Sequence, residues 1–348
     1  MTIPIAFSFD INLVMPACVC ISSLLMNADD ETFYDIFILH PANQPMSNTE
    51  LAKLPEYYTN CSLSFRPIGN EFDNAFEIRG VTIPTYYRLL IPEIIPEYDK
   101  IIYSDVDVIF RSDLSLLYNT DMSDVYIAAT YDVGMNLGKD GIAHISKIDG
   151  LVQGEYIQAG FIVLNSKRLK EDGLLYRFRE EAKKQYKFQD QDILNVVCRK
   201  NIKVLPAKYN MTDYTFYYLN SGDELIKSGY VKEEEISEAK QYGTLHFNGH
   251  KPWKSYSINF DIWWEYYRKS PFFDEKFYFD FFYRKINDYD LLPLWKRVKI
   301  LLRYFVFGRR IVFHDHPYRH RGRSAAGSRA APAGFAGARS GGRQHCLF

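Results

Sequence analysis

The pattern of apolar and polar positions predicts strands alternating with helices over about the first 250 residues. Short apolar runs rich in β-branched and aromatic residues predict buried strands, and they cover residues 3–9, 33–40, 62–67, 100–110, 125–131, 158–165 and 242–247. Helical patterns separate them, at residues 16–26, 47–58, 85–91, 173–186 and 191–200. This alternation is typical of an α/β fold, in which helices cover both faces of a mostly parallel sheet.

The predicted strand at residues 100–110 contains two carboxylates two positions apart, Asp105 and Asp107. Side chains at positions i and i+2 of a strand point to the same side, so both negative charges would project together. Like-charge repulsion makes that arrangement costly unless a cation is present. The spacing is compatible with a metal site. It is equally compatible with side chains that leave the strand into solvent, or with one that caps a turn.

Several polar residues follow the ends of predicted strands. Ligands of such sheets bind beyond the carboxyl ends of the strands, and Asp10, Asn12, Asp105 and Asp107 are all expected at that edge. The first glycine of the chain is Gly69, so neither a GxGxxG motif nor a P-loop can follow the first strand. If the sheet binds a nucleotide, a divalent cation on the two strand-end carboxylates would neutralise the phosphates.

Charged and small residues also stand beside later apolar segments. Arg88 needs a partner on its apolar segment, either a structural salt bridge or a ligand. The strand at 158–165 opens with small residues that would let a ligand approach the backbone. Asp190 is expected to cap the next helix, with Asp192 in its first turn. His246 precedes a glycine, a lysine and a tryptophan, a combination suited to an anion. With the two strand-end aspartates it forms a ligand set that suits Mn²⁺.

Two further local predictions concern a loop and a helix start. Residues 133–153 contain four glycines and no clear periodicity, which predicts a long mobile loop of the kind that often covers an active site. The helix at residues 47–58 is predicted to begin with Ser47 as its cap, because Glu50 follows three positions later.

The carboxyl-terminal part of the chain differs from the rest in charge and composition. The net charge of −1 conceals +5 on residues 311–348 and −6 on the remainder; an acidic body would repel phosphates, so no nucleic-acid partner is expected. Residues 294–310 hold six basic residues, no acid and an apolar helical stripe. This pattern is typical of a helix on an anionic membrane surface, the alternative being a helix packed on the body. Residues 319–348 are rich in Ala, Gly and Arg and predict disorder.

Three motifs in this order resemble the family-eight glycosyltransferases, which are retaining enzymes that use nucleotide sugars. They are the Asp-x-Asp of residues 103–108, the Phe-Gln-Asp-Gln-Asp-Ile-Leu-Asn of residues 188–195, and the His-Phe-Asn-Gly-His-Lys-Pro-Trp of residues 246–253. The resemblance covers about residues 3–255. It implies a single Rossmann-like nucleotide-sugar-binding domain of the glycosyltransferase A type at 1–255. A helical aromatic and basic extension would follow at 256–310, and a disordered tail at 311–348.

The resemblance also implies roles for individual residues. A metal ion, Mn²⁺ with Mg²⁺ as the alternative, would be bound by Asp105, Asp107 and His246. Gln191 corresponds to the residue beneath the anomeric carbon, Asp190 and Asp192 flank it as catalytic carboxylates, and Asp132 lies where the acceptor is expected. The UDP-sugar would contact Ser8, Asp10, Asn12, Arg88, Asp105, Val106, Gln158, Ala159, Asp190, Gln191, Gly249 and Lys251.

This sequence departs from the family pattern at three points. Leu13 stands where an aromatic residue often stacks on uracil, and Gln158 replaces the usual asparagine before Ala-Gly. One residue, His250, separates Gly249 from Lys251 where relatives often have two.

The predicted function is a Mn²⁺-dependent retaining transferase that moves glucose or galactose from UDP to a glycan. Lipopolysaccharide or another lipid-linked bacterial surface saccharide is the expected acceptor. The alternatives are a non-catalytic nucleotide-sugar-binding protein and a sugar nucleotidyltransferase. No basic segment precedes the apolar residues 13–26, so no signal peptide is expected. We therefore expect a cytoplasmic protein, peripheral at the inner face of the cell membrane through residues 294–310.

Overall fold

Strands from the first 205 residues of the protein form a mostly parallel sheet. The computed structural model describes residues 1–72, 75–78 and 82–307, with side chains up to Leu302. Within that part, seven strands form the sheet in the order β3-β2-β1-β4-β7-β6-β8, and three short strands form a second sheet in the order β5-β10-β9. The strands are β1 Thr2–Ser8, β2 Phe33–Pro41, β3 Cys61–Ile68, β4 Lys100–Ser104, β5 Val108–Ile109, β6 Ile127–Tyr131, β7 Ile157–Asn165, β8 Ile202–Val204, β9 Met211–Thr212 and β10 Leu245–His246.

Helices cover both faces of the main sheet, and apolar side chains that alternate along the strands form a separate core on each face. Ile5 and Phe7 of β1 join one core, while Ala6 between them joins the other. The α-helices are α1 Val14–Met26, α2 Leu54–Tyr57, α3 Ile91–Ile94, α4 Ser115–Tyr118, α5 Val133–Leu137, α6 Lys139–Ile145, α7 Ser166–Glu171, α8 Leu174–Ala182, α9 Gln189–Cys198, α10 Asp213–Ser221, α11 Glu224–Lys227, α12 Ile236–Tyr242, α13 Phe260–Lys269, α14 Glu275–Asp290 and α15 Leu294–Phe307. Short 3₁₀ helices lie at Ile11–Leu13, Glu50–Lys53, Ile83–Leu90, Arg199–Asn201, Ala207–Tyr209 and Glu233–Glu235.

The edge of the sheet at the ends of β1 and β4 collects the expected polar residues. The two strands are parallel and end level with each other, with Phe7 opposite Ser104. Strand β7 runs antiparallel to both β4 and β6, so its first residues lie at the same edge. The backbone N–H of Asp105 donates to the carbonyl of Gly160 at 2.7 Å. The mostly parallel α/β architecture predicted from the sequence is confirmed.

The prediction of one strand over residues 100–110 was wrong. Strand β4 ends at Ser104, and β5 begins at Val108 in the second sheet. Asp105 and Asp107 therefore lie on the turn that joins two sheets, and the i, i+2 rule for a single strand does not set their directions. The apolar residues around them are still buried, because both short strands have cores on both sides.

Three other local predictions also differ from the structure. Residues 133–145, expected in a mobile loop, form α5 and α6, and the side chain of Asp132 caps α5 by accepting from the N–H of Met135 at 3.0 Å. The helix expected from residue 47 begins as a 3₁₀ turn at Glu50, without a side-chain cap bond. Asp190 does not cap α9, which begins one residue earlier at Gln189.

Aromatic residues after the second sheet belong to the first of two compact units. That unit runs from Met1 to Asp288, and the second begins at Tyr289. Trp263, Trp264 and Tyr267 of α13 are buried in a third core with Leu245 and Phe247. Among the described residues, none of the helices combines the length and the apolarity needed to cross a bilayer. The predicted tail at 311–348 lies outside the described residues.

Candidate active site

A cleft of about 190 Å³ opens at the edge where β1 and β4 end and β7 begins. Of the residues predicted for the site, it brings together Arg88, Asp105, Asp107, Gln158, Ala159, Asp190, Gln191, His246 and Lys251. Its lining does not include Ser8, Asp10, Asn12, Val106, Asp132, Asp192 or Gly249. The cleft therefore unites the three sequence motifs with Arg88, and leaves the residues expected at the uridine outside its wall.

The two aspartates of the turn and His246 form a three-residue cluster in this cleft. One ligand atom from each lies within 4.8 Å of the others. The Nε2 atom of His246 is 3.3 Å from Asp107 Oδ1 and 3.9 Å from Asp105 Oδ2. Asp107 Oδ1 is buried and has no hydrogen-bond partner among the described residues. Two carboxylates and an imidazole with a buried, unpaired oxygen between them fit a divalent cation.

The second sheet explains how His246 reaches a turn 140 residues earlier in the chain. His246 is opposite Val108 in the antiparallel pair β5–β10, and the N–H of Phe247 donates to the carbonyl of Asp107 at 2.9 Å. Gly160 leaves room for the cluster, because a Cβ there would stand 2.4 Å from His246 Cε1 and 2.6 Å from Asp105 Oδ2. The second sheet and this glycine therefore assemble the cluster.

Arg88 is buried between two carboxylates of the cleft. Its Nη2 donates to Asp105 Oδ1 at 2.7 Å and its Nε lies 3.1 Å from Asp190 Oδ2, while its guanidinium covers the ring of Tyr103. Thr85 also donates to Asp190, at 2.7 Å. Burial raises the pKa of Asp190 to about 6, although the charge of Arg88 opposes the rise. The ion pair holds the first turn of α9 against the acidic turn.

The side chain of Gln191 is fixed at both ends of its amide. Its Oε1 accepts from the N–H of Ala159 at 3.0 Å, and its Nε2 donates to Asp132 Oδ2 at 3.0 Å. Burial raises the pKa of Asp132, against the hydrogen bonds that this carboxylate accepts. Gln191 therefore lies at the cleft wall, with Asp132 immediately behind it.

Asp192 points away from the cleft and is fully buried. Its carboxylate accepts from the Tyr156 hydroxyl at 2.6 Å and from the N–H of Phe188 at 2.9 Å, and it lies 2.9 Å from Nε2 of His144. His144 belongs to α6, in the segment predicted as a loop. These contacts engage both oxygens of Asp192 and hold α6 and the residue before β7 to the start of α9.

The loop after β10 places the ammonium group of Lys251 beside the cluster. The Lys251 ammonium contacts Asp107 Oδ2 and donates to the carbonyl of Phe247 at 2.6 Å. Burial acts to raise the pKa of Asp107, but the positive charge of Lys251 acts against it, and that pKa lies well below its usual range. Burial also raises the pKa of Asp213, beneath Gly249, to about 7.

The residues expected at the uridine form a separate group at the end of β1. The Ser8 hydroxyl donates to the carbonyl of Pro84 at 2.6 Å, and Asp10 accepts from the N–H of Asn12 at 2.9 Å. Val106 is buried in the core, and Leu13 packs partly buried against the same core. These contacts bring Ser8, Asp10 and Asn12 to the predicted edge of the sheet but not into the cleft.

Several residues of the site carried no signal in the sequence. The side chains of Thr85, Tyr103 and Asn210 form hydrogen bonds with Asp190, Asp105 and His246, respectively. Gln189 has a left-handed φ of 40° at the start of α9, a strained backbone of the kind found at functional sites. Asn210 precedes a two-residue strand, so neither periodicity nor a motif could have singled it out.

Comparison with known proteins identifies the family. The model of glycosyl transferase family 8 matches residues 4–257. A Haemophilus influenzae protein named only as a glycosyltransferase is 28% identical over 216 residues, 61% of this chain and 64% of that protein. General stress protein A of Bacillus subtilis is 22% identical over 266 residues, 74% of this chain and 85% of that protein. The chain thus spans less than two thirds of the Haemophilus protein.

Solved structures agree on the fold. The galactosyltransferase LgtC, in complex with donor and acceptor sugar analogues, superposes with a TM-score of 0.63 at 23% identity, over 79% of this chain and 98% of that one. The bifunctional glycosyltransferase WbbM gives 0.64 at 24% identity, over 80% of this chain and 51% of that one. The match of residues 4–257 confirms the resemblance seen in the motifs: the chain belongs to glycosyl transferase family 8.

Proposed function

We propose that the protein is a Mn²⁺-dependent retaining transferase that moves glucose or galactose from a UDP-sugar to a glycan. The observation that carries the proposal is the convergence of Asp105, Asp107 and His246 in one cleft with Lys251 and Gln191. The galactosyltransferase named among the similar structures supports a hexose donor.

The metal residues have the donor set that such a cofactor needs. Asp105, Asp107 and His246 would hold Mn²⁺ or Mg²⁺, and the unpaired Oδ1 of Asp107 gains a partner when they do. The bound cation supplies Lewis-acid stabilisation to the diphosphate of the donor.

Lys251 is the protein cation best suited to the leaving group. Its ammonium already lies against Asp107 at the cluster and is about one third exposed, so it can reach an anion in the cleft. Negative charge accumulates on the diphosphate as the bond to the sugar breaks, and a fixed ammonium stabilises that charge more in the transition state than in the ground state.

The sugar would lie between Asp190 and Gln191. Asp190 is held by Arg88 and Thr85 but, unlike Asp192, it lines the cleft, where a remaining lone pair would accept from a sugar hydroxyl. The amide of Gln191 is a poor nucleophile, and its two hydrogen bonds fix it in place. This arrangement favours attack by the acceptor on the face from which UDP departs, with Asp132 behind Gln191 on the acceptor side.

A covalent route through Asp192 finds less support. A carboxylate nucleophile must face the anomeric carbon, whereas both oxygens of Asp192 are engaged by Tyr156, His144 and a backbone N–H away from the cleft. The role that these contacts support for Asp192 is to position the start of α9.

The acceptor is proposed to be lipid-linked, with the enzyme held at the inner face of the cell membrane. Helix α15 exposes Leu294, Trp295, Val298, Leu301 and Leu302, and its sequence carries basic residues without an acid. Apolar and basic groups on one helix suit an anionic lipid surface. Lipopolysaccharide precursors are acceptors of this kind.

The decisive experiment is metal-dependent release of UDP. The protein is incubated with UDP-glucose or UDP-galactose and Mn²⁺, with and without EDTA, and compared with Asp107→Ala and with Asp124→Ala, an exposed aspartate outside the cleft. We expect release by the parent and by Asp124→Ala, and none by Asp107→Ala at any Mn²⁺ concentration.

Three other outcomes would contradict the proposal. Equal activity of Asp107→Ala would refute the metal assignment. Donor binding without turnover would favour a non-catalytic binding protein, and pyrophosphate-dependent formation of UTP would favour a nucleotidyltransferase. Mass spectrometry of a donor screen then identifies the sugar.

A further inference from the structure

Three buried side chains link the backbone of β7 to His246. They are Gln158, Asn210 and His246, each no more than 6% exposed. The first contact orients the chain. The backbone N–H of Gly160 donates to Gln158 at 2.6 Å. A backbone N–H can only donate, so the atom of Gln158 that faces it is the oxygen Oε1.

The orientation of Asn210 follows from that assignment. An amide nitrogen and oxygen have the same shape, and the hydrogen-bond network decides between them. One terminal atom of Asn210 lies 2.8 Å from Gln158 Oε1, which accepts, so that atom is the donor Nδ2. The other terminal atom, Oδ1, lies 2.9 Å from Nδ1 of His246.

The same reasoning fixes the proton of His246. An amide oxygen only accepts, so Nδ1 of His246 carries a hydrogen and donates to Asn210. In the neutral ring the second nitrogen, Nε2, then presents a lone pair. That lone pair faces the carboxylates of Asp105 and Asp107, and it is 3.3 Å from the unpaired Oδ1 of Asp107.

We propose that Asn210, oriented by Gln158, is a positioning residue that fixes the Nδ1–H tautomer of His246. Lone pairs from Nε2 and from two carboxylates then converge on one point, which is the arrangement that a cation needs. The opposite tautomer would aim an N–H at Asp107 and close the site by an internal hydrogen bond. The inference deepens the proposed function, because its purpose rests on metal binding by this cluster.

The position of Asn210 in the fold supports this role. Asn210 immediately precedes β9, and β9 pairs with β10, the strand that carries His246. The N–H of Asn210 donates to the carbonyl of Ala207 at 3.0 Å, which holds its backbone in a turn. Partners of this kind behind a metal-ligating histidine typically change metal affinity 10–100-fold when they are removed.

The tautomer can be measured without metal or substrate. The metal-free parent protein, labelled with ¹⁵N at its histidines, is examined by NMR at about pH 8.5, where an ordinary imidazole is neutral. His246→Gln assigns the signals of the ring among the eight histidines. We expect a protonated Nδ1 and a bare Nε2 on His246. A predominant Nε2–H form would overturn the proposal.

Metal binding supplies a second, independent test. Mn²⁺ affinity is measured by electron paramagnetic resonance of the free ion, without donor, for Asn210→Leu, Asn210→Asp and Gln158→Leu. Asn210→Leu should weaken binding by about 10–100-fold. Asn210→Asp keeps an acceptor for Nδ1 and should bind more tightly than Asn210→Leu. Gln158→Leu in the Asn210→Leu background should cost little more, because the second residue acts through the first.

A control and the contrary results complete the test. Asn165→Leu removes a similar amide at the far end of β7, where it bonds to Met122 and Val125, and should leave Mn²⁺ affinity unchanged. Asn210→Leu that binds Mn²⁺ as tightly as the parent overturns the proposal. If Asn210→Leu does not fold, the NMR result on the parent decides. A parent that fails to bind Mn²⁺ contradicts the proposed function, while the tautomer is still read separately.

Discussion

Replacement of Arg88 by methionine should destabilise the protein far more than loss of an ordinary salt bridge. Methionine keeps the apolar stem of the side chain and removes the guanidinium. The change deprives Asp105 and Asp190 of their shared partner and leaves the carbonyl of Ala159 without the donor that it has at 2.7 Å. The sequence predicts for Arg88 either a structural salt bridge or a contact with the UDP-sugar, and this variant measures the contribution of the salt bridge to stability.

The expected magnitude follows from the burial of the two carboxylates. Breaking a buried ion pair by removing one partner costs about 3–5 kcal/mol. Asp190 is 6% exposed and should account for most of the loss, whereas the side chain of Asp105 is 27% exposed and keeps a hydrogen bond from Tyr103. Asp190→Asn in the Arg88→Met background removes the buried charge and should recover about 1–3 kcal/mol.

The loss should also depend on pH in one direction. The pKa of Asp190 is raised to about 6 even beside Arg88, and without Arg88 it rises further. A raised carboxyl pKa means that protonation favours the folded state, so the penalty is smallest below the unfolded pKa of about 4 and grows as the pH rises through the folded value. The deficit of Arg88→Met should therefore be smaller at pH 5 than at pH 8.

Urea unfolding followed by circular dichroism at both pH values gives the free energies. Arg66→Met is the control, because its pair with Glu97 is about one third to one half exposed and should be worth less than about 1 kcal/mol. If Arg88→Met lost no more than Arg66→Met, or if its deficit grew at pH 5, the reasoning from buried charge would be refuted.

Three further predictions concern the donor, the metal and the membrane. Affinity for a UDP-sugar, measured by calorimetry, should fall as the pH drops below about 6, because Asp190 becomes protonated there. Affinity for UDP alone should not show the same pH dependence. Parallel pH dependence for the two ligands would exclude Asp190 from sugar binding. Gly160→Ala should greatly weaken Mn²⁺ binding, because the added Cβ would displace His246 and Asp105. Gly69→Ala, where the space around the added Cβ is open, should not weaken it. Unchanged Mn²⁺ binding by Gly160→Ala would contradict the packing argument. Deletion of residues 294–348 should abolish co-sedimentation with anionic vesicles and leave donor hydrolysis intact; joint loss of both would favour a helix that packs on the body.

The sequence predicted the fold well where hydrophobic periodicity was long and regular. Strands β1, β2, β3 and β7 lie within a residue or two of the expected bounds, because buried strands need continuous apolar runs. The turn at Asp105 was missed since apolar residues continue through it into a strand of another sheet. Glycines 134, 138 and 141 suggested a mobile loop, whereas Gly141 and Gly134 pack closely on Met135 and Tyr214 within short helices.

The candidate site was predictable as far as its charged members reach. Asp105, Asp107, His246 and Lys251 could be recognised because they belong to two of the three motifs, and the motifs implied a common site. Their neutral partners did not stand out, because Asn210 and Tyr103 act through contacts with residues distant in the chain. The motif did not predict which way each side chain points. Asp190 and Asp192 therefore received similar predicted roles, although Asp190 lines the cleft and Asp192 faces the core.

The turn that contains Asp105 and Asp107 connects β4 of the large sheet to β5 of the small one, and His246 lies on β10 of the small sheet. A divalent cation bound there would link the turn to β10 through its ligands, in addition to the apolar core that the two sheets already share with α1. Metal binding would then stabilise the folded protein as well as support the chemistry. At a free metal concentration one hundred times the dissociation constant, it would add about 2.7 kcal/mol to the free energy of unfolding. After chelation, residues 211–255, which carry β9 and β10 of the small sheet, should accordingly be the first part of the chain that a protease cleaves.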